Sequence, residues 1–89
     1  MILTQRKGVL RAIGLGLNND PHGRLSLKVR GEAELAELIV SLANKHGVPV
    51  IERKGVYDIL ADLQIDEVVP TEYHALIEVL RAEIQKDLR

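Results

Sequence analysis

Asp58 and Asp62 stand at i and i+4 in a segment whose neighbours read as helical. Both carboxylates therefore share one face, where a pair can pass a proton or hold a cation. His22, His46 and His74 are the imidazoles, and none pairs with another ligand type in a recognisable zinc spacing. Gly14-Leu15-Gly16 suggests a phosphate loop. The dinucleotide fingerprint, however, needs a third glycine at a strand-to-helix turn. Asn19 occupies that position, and a turn followed by another strand comes next. Ser26 and Ser41 are the two serines, and neither sits in a nucleophile elbow. Each group also has a plain structural reading. Asp58 and Asp62 make a solvated helix face, and the glycines allow close packing. The histidines belong to a turn, a last helical turn and a helix start. Asp58, Asp62 and His74 are the best candidates for a small-molecule site, and they converge on no recognisable chemistry. No catalytic residue, cofactor or metal is expected.

The chain has 89 residues, enough for one domain with a small core. Aromatic residues are confined to Tyr57 and Tyr73, so that core must be aliphatic. A formal charge of -1 gives no overall attraction to nucleic acid or anionic lipid. Cysteine is absent, which excludes disulfides, thiolate catalysis and Cys-based metal sites. No stretch approaches the roughly 20 apolar residues of a membrane span. The N-terminal residues are interrupted by Arg6, Lys7 and Arg11, unlike a secretory signal. The expectation is a cytoplasmic protein that begins with a strand.

The elements that would position these residues follow from periodicity. Ile13, Leu15 and Leu17 alternate with glycines, so 9–17 reads as a strand. Residues 18–23 are a dense turn cluster. Over 24–30, Leu25, Leu27 and Val29 alternate with Arg24, Ser26, Lys28 and Arg30, the pattern of a half-exposed strand closing a hairpin. Leu35, Leu38, Ile39 and Leu42 mark the buried face of a helix over 32–46. Gly47 and Pro49 end it, and Val48, Val50 and Ile51 form a strand. Val56, Ile59, Leu60 and Leu63 repeat the helical spacing over 55–63. Ile65, Val68 and Val69 lie in an extended stretch. Pro70-Thr71-Glu72 opens a last helix striped by Tyr73, Leu76, Ile77, Leu80, Ile84 and Leu88. The order is β-β-α-β-α-β-α. It predicts an α/β fold with a small mixed four-stranded sheet flanked by helices, and a parallel right-handed crossover around the first helix.

Taken in order, KVRGEAELAELIVSLANKHGVPVIE, a short helix ending in DLQIDEVVP, and TEYHALIEVL resemble a known family. It is the cytoplasmic C-terminal domain of the FlhB/YscU family, the substrate-specificity switches of flagellar and virulence type III export. The resemblance covers roughly residues 10–82 of a single domain spanning 1–89. No single motif is diagnostic, and the ordered set carries the match. Two departures matter. Family members carry a membrane-spanning N-terminal region, which is not found here. They also carry a self-cleaving Asn-Pro-Thr-His motif, against which this chain sets Lys7-Gly8-Val9-Leu10. Asn19-Asp20-Pro21-His22 lies after the first strand and reads as a turn. The chain thus looks like a stand-alone, membrane-free FlhB-like protein without self-cleavage. The resemblance implies an apolar patch that binds partners, placed here at Arg24, Leu25, Ile77 and Leu80. At Arg24 the family would have a small apolar residue.

The function so implied is that of a non-enzymatic module of flagellar-type protein export. It would be cytoplasmic and peripheral to the export apparatus, and would bind export substrates or export-gate components. Nucleic acid is not an expected partner. The alternative is a small α/β ligand-binding protein or enzyme that shares only the fold. A third reading makes Arg24, Lys28 and Arg30 a basic stripe for nucleic acid, without an aromatic neighbour to stack bases.

Overall fold

The computed structural model describes residues 1–17 and 24–87. A four-stranded mixed sheet has the order β3-β2-β1-β4, with strands β1 (Ile2–Lys7), β2 (Val9–Leu17), β3 (Leu25–Glu32) and β4 (Val50–Glu52). Gly8 alone separates the paired Lys7 and Val9, and its φ of 79° makes the tight return that a side chain would strain. β2 pairs antiparallel with β1 and β3, and β1 pairs parallel with β4. Hence β3 and β4 run in the same direction, as the crossover predicts, although they occupy opposite edges.

The sheet's membership differs from expectation. Its extra strand is β1, and the extended stretch at 65–69 contributes one isolated bridge, Ser26 to Val68. That stretch still lies along the outer edge of β3. Val69 donates to the Leu25 carbonyl at 2.8 Å, Leu27 donates to Glu67 at 3.0 Å, and Asp66 donates to Leu27 at 2.6 Å. Asp66 takes φ 70°, which breaks the run before a regular ladder can form. β1 shows no alternation because it is central and buried on both faces. Its polar residues are absorbed: Thr4 Oγ1 donates to the Ile51 carbonyl at 3.4 Å, and Gln5 Nε2 to Asp58 Oδ1 at 3.1 Å.

A bulge redirects β3. Gly14 pairs with Val29 and Leu15 pairs with Leu27, so Lys28 is the extra residue. Leu25 and Leu27 therefore face one side of the sheet, and Val29 faces the other. The single alternating pattern expected for 24–30 is cut in two at Lys28. Ser26, expected on a solvated face, is fully buried.

Three α-helices cover the sheet: α1 (Glu34–Lys45), α2 (Lys54–Leu60) and α3 (His74–Asp87), the last entered through a 3-10 turn at Thr71–Tyr73. Side chains of α2 and α3 join Leu3, Ile13, Leu15, Leu25 and Leu27 in the larger core cluster. α1 lies on the opposite face with Ile2, Leu10 and Ala12. Gly47, at φ 70°, ends α1 as expected. The buried face of α1 is a correction in part: of the four residues expected there, Ile39 alone is buried. Ala36, Ile39 and Ala43 meet the sheet, while Leu35, Leu38 and Leu42 stand half exposed. Small residues lie on both sides of this contact. A Cβ on Gly31 would come within 2.6 Å of Leu35 Cγ and 2.9 Å of Ile39 Cδ1. Leu35 and Ile39 thus lie directly over Gly31, a close approach that leaves no room for a side chain there. On α2, Val56, Tyr57 and Leu60 are buried while Ile59 is exposed, and on α3 Ile77 and Leu80 are buried. Leu88 lies outside the described residues, and the side chain of Ile84 is not described.

Candidate functional site

A depression of about 160 Å³ opens where the start of β3 meets α3. Its floor is apolar: Leu25, Val69 and Ile77. The hydrogen bond from Val69 to the Leu25 carbonyl fixes two of the three against each other. His74, Ile77, Glu78 and Arg81 fall at i, i+3, i+4 and i+7, so one face of α3 supplies the whole far wall. Arg24, the residue before β3, forms the near rim.

The rim is charged over an apolar floor, with Arg24, Arg81, His74 and Glu78 around it. Arg81 Nη1 lies 3.7 Å from Glu78 Oε1, one turn back on the helix. The Met1 amine donates to the Leu15 carbonyl at 3.1 Å. Its pKa is held below the ordinary value, chiefly by burial and secondarily by the charge of Arg81. Arg24 and Arg81 thus flank a floor that exposes only the margins of Leu25 and Ile77.

Of the four residues expected to form a patch, the structure brings Arg24, Leu25 and Ile77 to this depression. Leu80 is not in its wall; it is 1% exposed, packed in the core beneath. Val69, His74, Glu78 and Arg81 were missed as lining. The helical repeat from His74 was a usable signal. Val69 had none, because only the edge pairing with β3 brings it there.

The other candidates are dispersed. Asp58 accepts the Gln5 hydrogen bond at the edge of α2, and His74 belongs to the depression. Among the described residues, no three His, Cys, Asp or Glu side chains group to hold a metal. Gly14 and Gly16 lie inside β2, and a Cβ on Gly14 would come within 2.6 Å of Val29 Cγ1 and 3.0 Å of Ile2 Cδ1. His46 follows the last turn of α1, where its backbone N–H reaches the Leu42 and Ala43 carbonyls. His22 and the Asn19-Asp20-Pro21-His22 turn lie outside the described residues.

Lys28 and Arg30 of the basic stripe are exposed and are engaged within the chain. Lys28 Nζ pairs with Asp66 Oδ1 at 3.0 Å. Arg30 donates through Nη2 to the carbonyls of Ala61, at 2.6 Å, and Leu63. Those carbonyls follow α2, where chain ends leave acceptors without helical partners. Arg30 is thus a strap from β3 to the end of α2. The bulge at Lys28 further separates the directions of Arg24 and Arg30.

No family model matches this sequence, and no curated protein matches it. Among solved structures, the fold is shared with a crystal structure of the EscU C-terminal domain carrying an Asn-to-Asp substitution. The TM-score is 0.69 at 16% sequence identity, and the match covers 89% of this chain and 72% of that one. EscU's domain has the cytoplasmic-domain fold of the FlhB/YscU family. No described helix is long and apolar enough to cross a membrane.

Proposed function

We propose that this chain is a non-enzymatic binding module of type III protein export. It docks a short segment of an export substrate, or of an export-gate component, into the depression between β3 and α3. The observation that carries this reading is a convergence. A chain with the fold of the EscU domain brings Arg24, Leu25 and Ile77 together in one open site. The floor accepts an apolar side chain, and main-chain or charged groups of the segment meet the rim. We further propose that the protein acts in the cytoplasm, at the face of the export apparatus.

We also propose that the chain works without self-cleavage. Lys7 and Val9 flank Gly8 in the β1–β2 turn, followed by Leu10. None of the four residues set against the family's cleavage motif carries a side-chain amide that could cyclise onto its own main chain. Intact-mass measurement after prolonged incubation should show one uncut chain.

The binding role is tested in cells whose full-length switch protein lacks its C-terminal domain. Expression of this chain should restore secretion of export substrates and co-purify export-gate components. The rim variant Arg24→Glu/Arg81→Glu should lose both while remaining folded. A folded, abundant wild-type protein that restores nothing and captures no export component would leave only the shared fold. Saturable binding of a small molecule would then favour the ligand-binding alternative.

A further inference from the structure

α1 carries apolar residues on two adjoining faces, and one of them is buried while the other, with Leu35 reaching over Gly31, stands half exposed. Ala36, Ile39 and Ala43 meet the sheet. Leu35, Leu38 and Leu42 are 50%, 53% and 46% exposed on the next face. At i, i+3 and i+7 they form a continuous ridge, unlike scattered surface leucines. An apolar hollow of about 280 Å³ runs beside the ridge, walled by Leu42, His46 and Val48 over Val29 and Ile2. The hollow has a geometric origin. One helix about 10 Å across lies on four strands spaced about 4.8 Å apart, so it cannot cover them.

The charges beside the ridge select an occupant. Glu34 is in the first turn of α1 and Lys45 in the last. About three helical turns separate them, so they stand on one rim of the ridge, next to Leu38. Neither is ion-paired within the chain among the described residues. A two-fold axis that runs two such helices antiparallel keeps like rim beside like rim. It sets Glu34 of one copy against Lys45 of the other, twice over. The same operation sets Leu35 against Leu42 and brings Leu38 near the axis. A parallel pairing leaves both charges without a counter-charge.

We propose that α1 is a self-association surface. Two copies of this chain pair antiparallel through Leu35, Leu38 and Leu42, with a Glu34–Lys45 ion pair at each end. The proposal rests on α1 alone and is independent of the export reading. One helix of 12 residues offers less than the ~800 Å² per partner of a stable interface. The dimer is therefore weak and rapidly exchanging, with a Kd on the order of 100 µM.

Sedimentation velocity on the whole chain, from about 20 µM to about 1 mM, reads this directly. The expected result is a monomer shifting to a dimer, abolished by Leu38→Glu with an unchanged circular-dichroism spectrum. Glu34→Lys should weaken association about tenfold, and adding Lys45→Glu should restore it, which non-specific adhesion does not do. Because the chain has no cysteine, mixed Leu35→Cys and Leu42→Cys copies should oxidise to the mixed disulfide in preference to either symmetric one. A monomer at every concentration overturns the proposal, as does a dimer indifferent to Leu38→Glu or a preference for symmetric disulfides. If the chain stays monomeric while Leu38→Glu abolishes co-purification of an export-gate component, the ridge belongs to a foreign helix and self-association is refuted.

Discussion

One face of the sheet is sealed and the other is half open. Under α2 and α3, Leu3, Ile13, Leu15 and Leu27 meet Leu60, Leu63, Val69, Ile77 and Leu80 in a mostly aliphatic cluster that also takes in Tyr57. Under α1 the contact is made by Ala12, Ala36 and Ala43 with Ile2, Leu10 and Ile39. Large side chains fill space and hold elements apart, whereas small ones bring backbones close and bury less apolar area per residue. The first face is thus built for stability. The second leaves leucines and a hollow at the surface. The depression proposed to bind export segments opens at the margin of the sealed face, where α3 and Val69 are held on β3. A rigid floor there suits a docking site.

Substitutions can break that contrast. Leu27 is fully buried on the sealed face, and Leu27→Ala should cost about 2–5 kcal/mol. Leu38→Ala on the open face should change stability by less than about 0.5 kcal/mol. Urea unfolding of the two variants side by side measures the difference; equal losses would mean that the faces are not distinct. Next in size is Gly14→Ala, which probes the close approach on the α1 side. Its new methyl would collide with Val29 Cγ1, whose branched side chain turns aside only at a cost. A loss of about 1–3 kcal/mol is expected, and Val29→Ala added to it should recover part of the loss.

Arg30→Ala sharpens the comparison from the sealed side. It removes the donors to Ala61 and Leu63 and should cost about 1 kcal/mol. Hydrogen exchange should show the end of α2 loosened while α1 stays protected. The smallest effect concerns Tyr57, whose phenol is raised above its ordinary value, mainly by burial, with Arg11 opposing. A raised folded-state pKa supports the fold below the unfolded value near 10 and loses that support as pH climbs through the folded value. Unfolding midpoints should therefore fall above about pH 10 in the wild type and fall less in Tyr57→Phe. Identical alkaline slopes would show that Tyr57 does not titrate with unfolding.

Much of the architecture was legible in the residues. The period-2 pattern at Ile13, Leu15 and Leu17, the Gly47-Val48-Pro49 stop and the helical stripe from Val56 each mark an element that the fold contains. Three features were not. β1 lacks alternation because both of its faces are buried, and its Thr4 and Gln5 are paired only through residues far along the chain. The bulge at Lys28 depends on cross-strand register, which local pattern does not carry. On α1 the leucines suggest a face rotated from the buried one, with Ile39 common to both, because leucines outrank alanines in hydrophobicity although the close contact favours alanine. For the candidate site, the family resemblance groups Arg24, Leu25 and Ile77, and these three line the depression. Val69 and the correct place of Leu80 needed the packed structure.

By itself, the sequence determined an aliphatic α/β domain, the type of most of its elements, and the exclusion of cysteine chemistry. Those properties depend on composition and on spacings within single elements, where each residue's neighbours are its own sequence neighbours. Tertiary structure decided which strand completes the sheet, which face of α1 is buried, and which residues of β3, α3 and the 65–69 stretch meet around one depression. Those outcomes turn on the register and rotation of elements brought together over long sequence separations. There, a one-residue slip moves a side chain to the opposite face of the sheet.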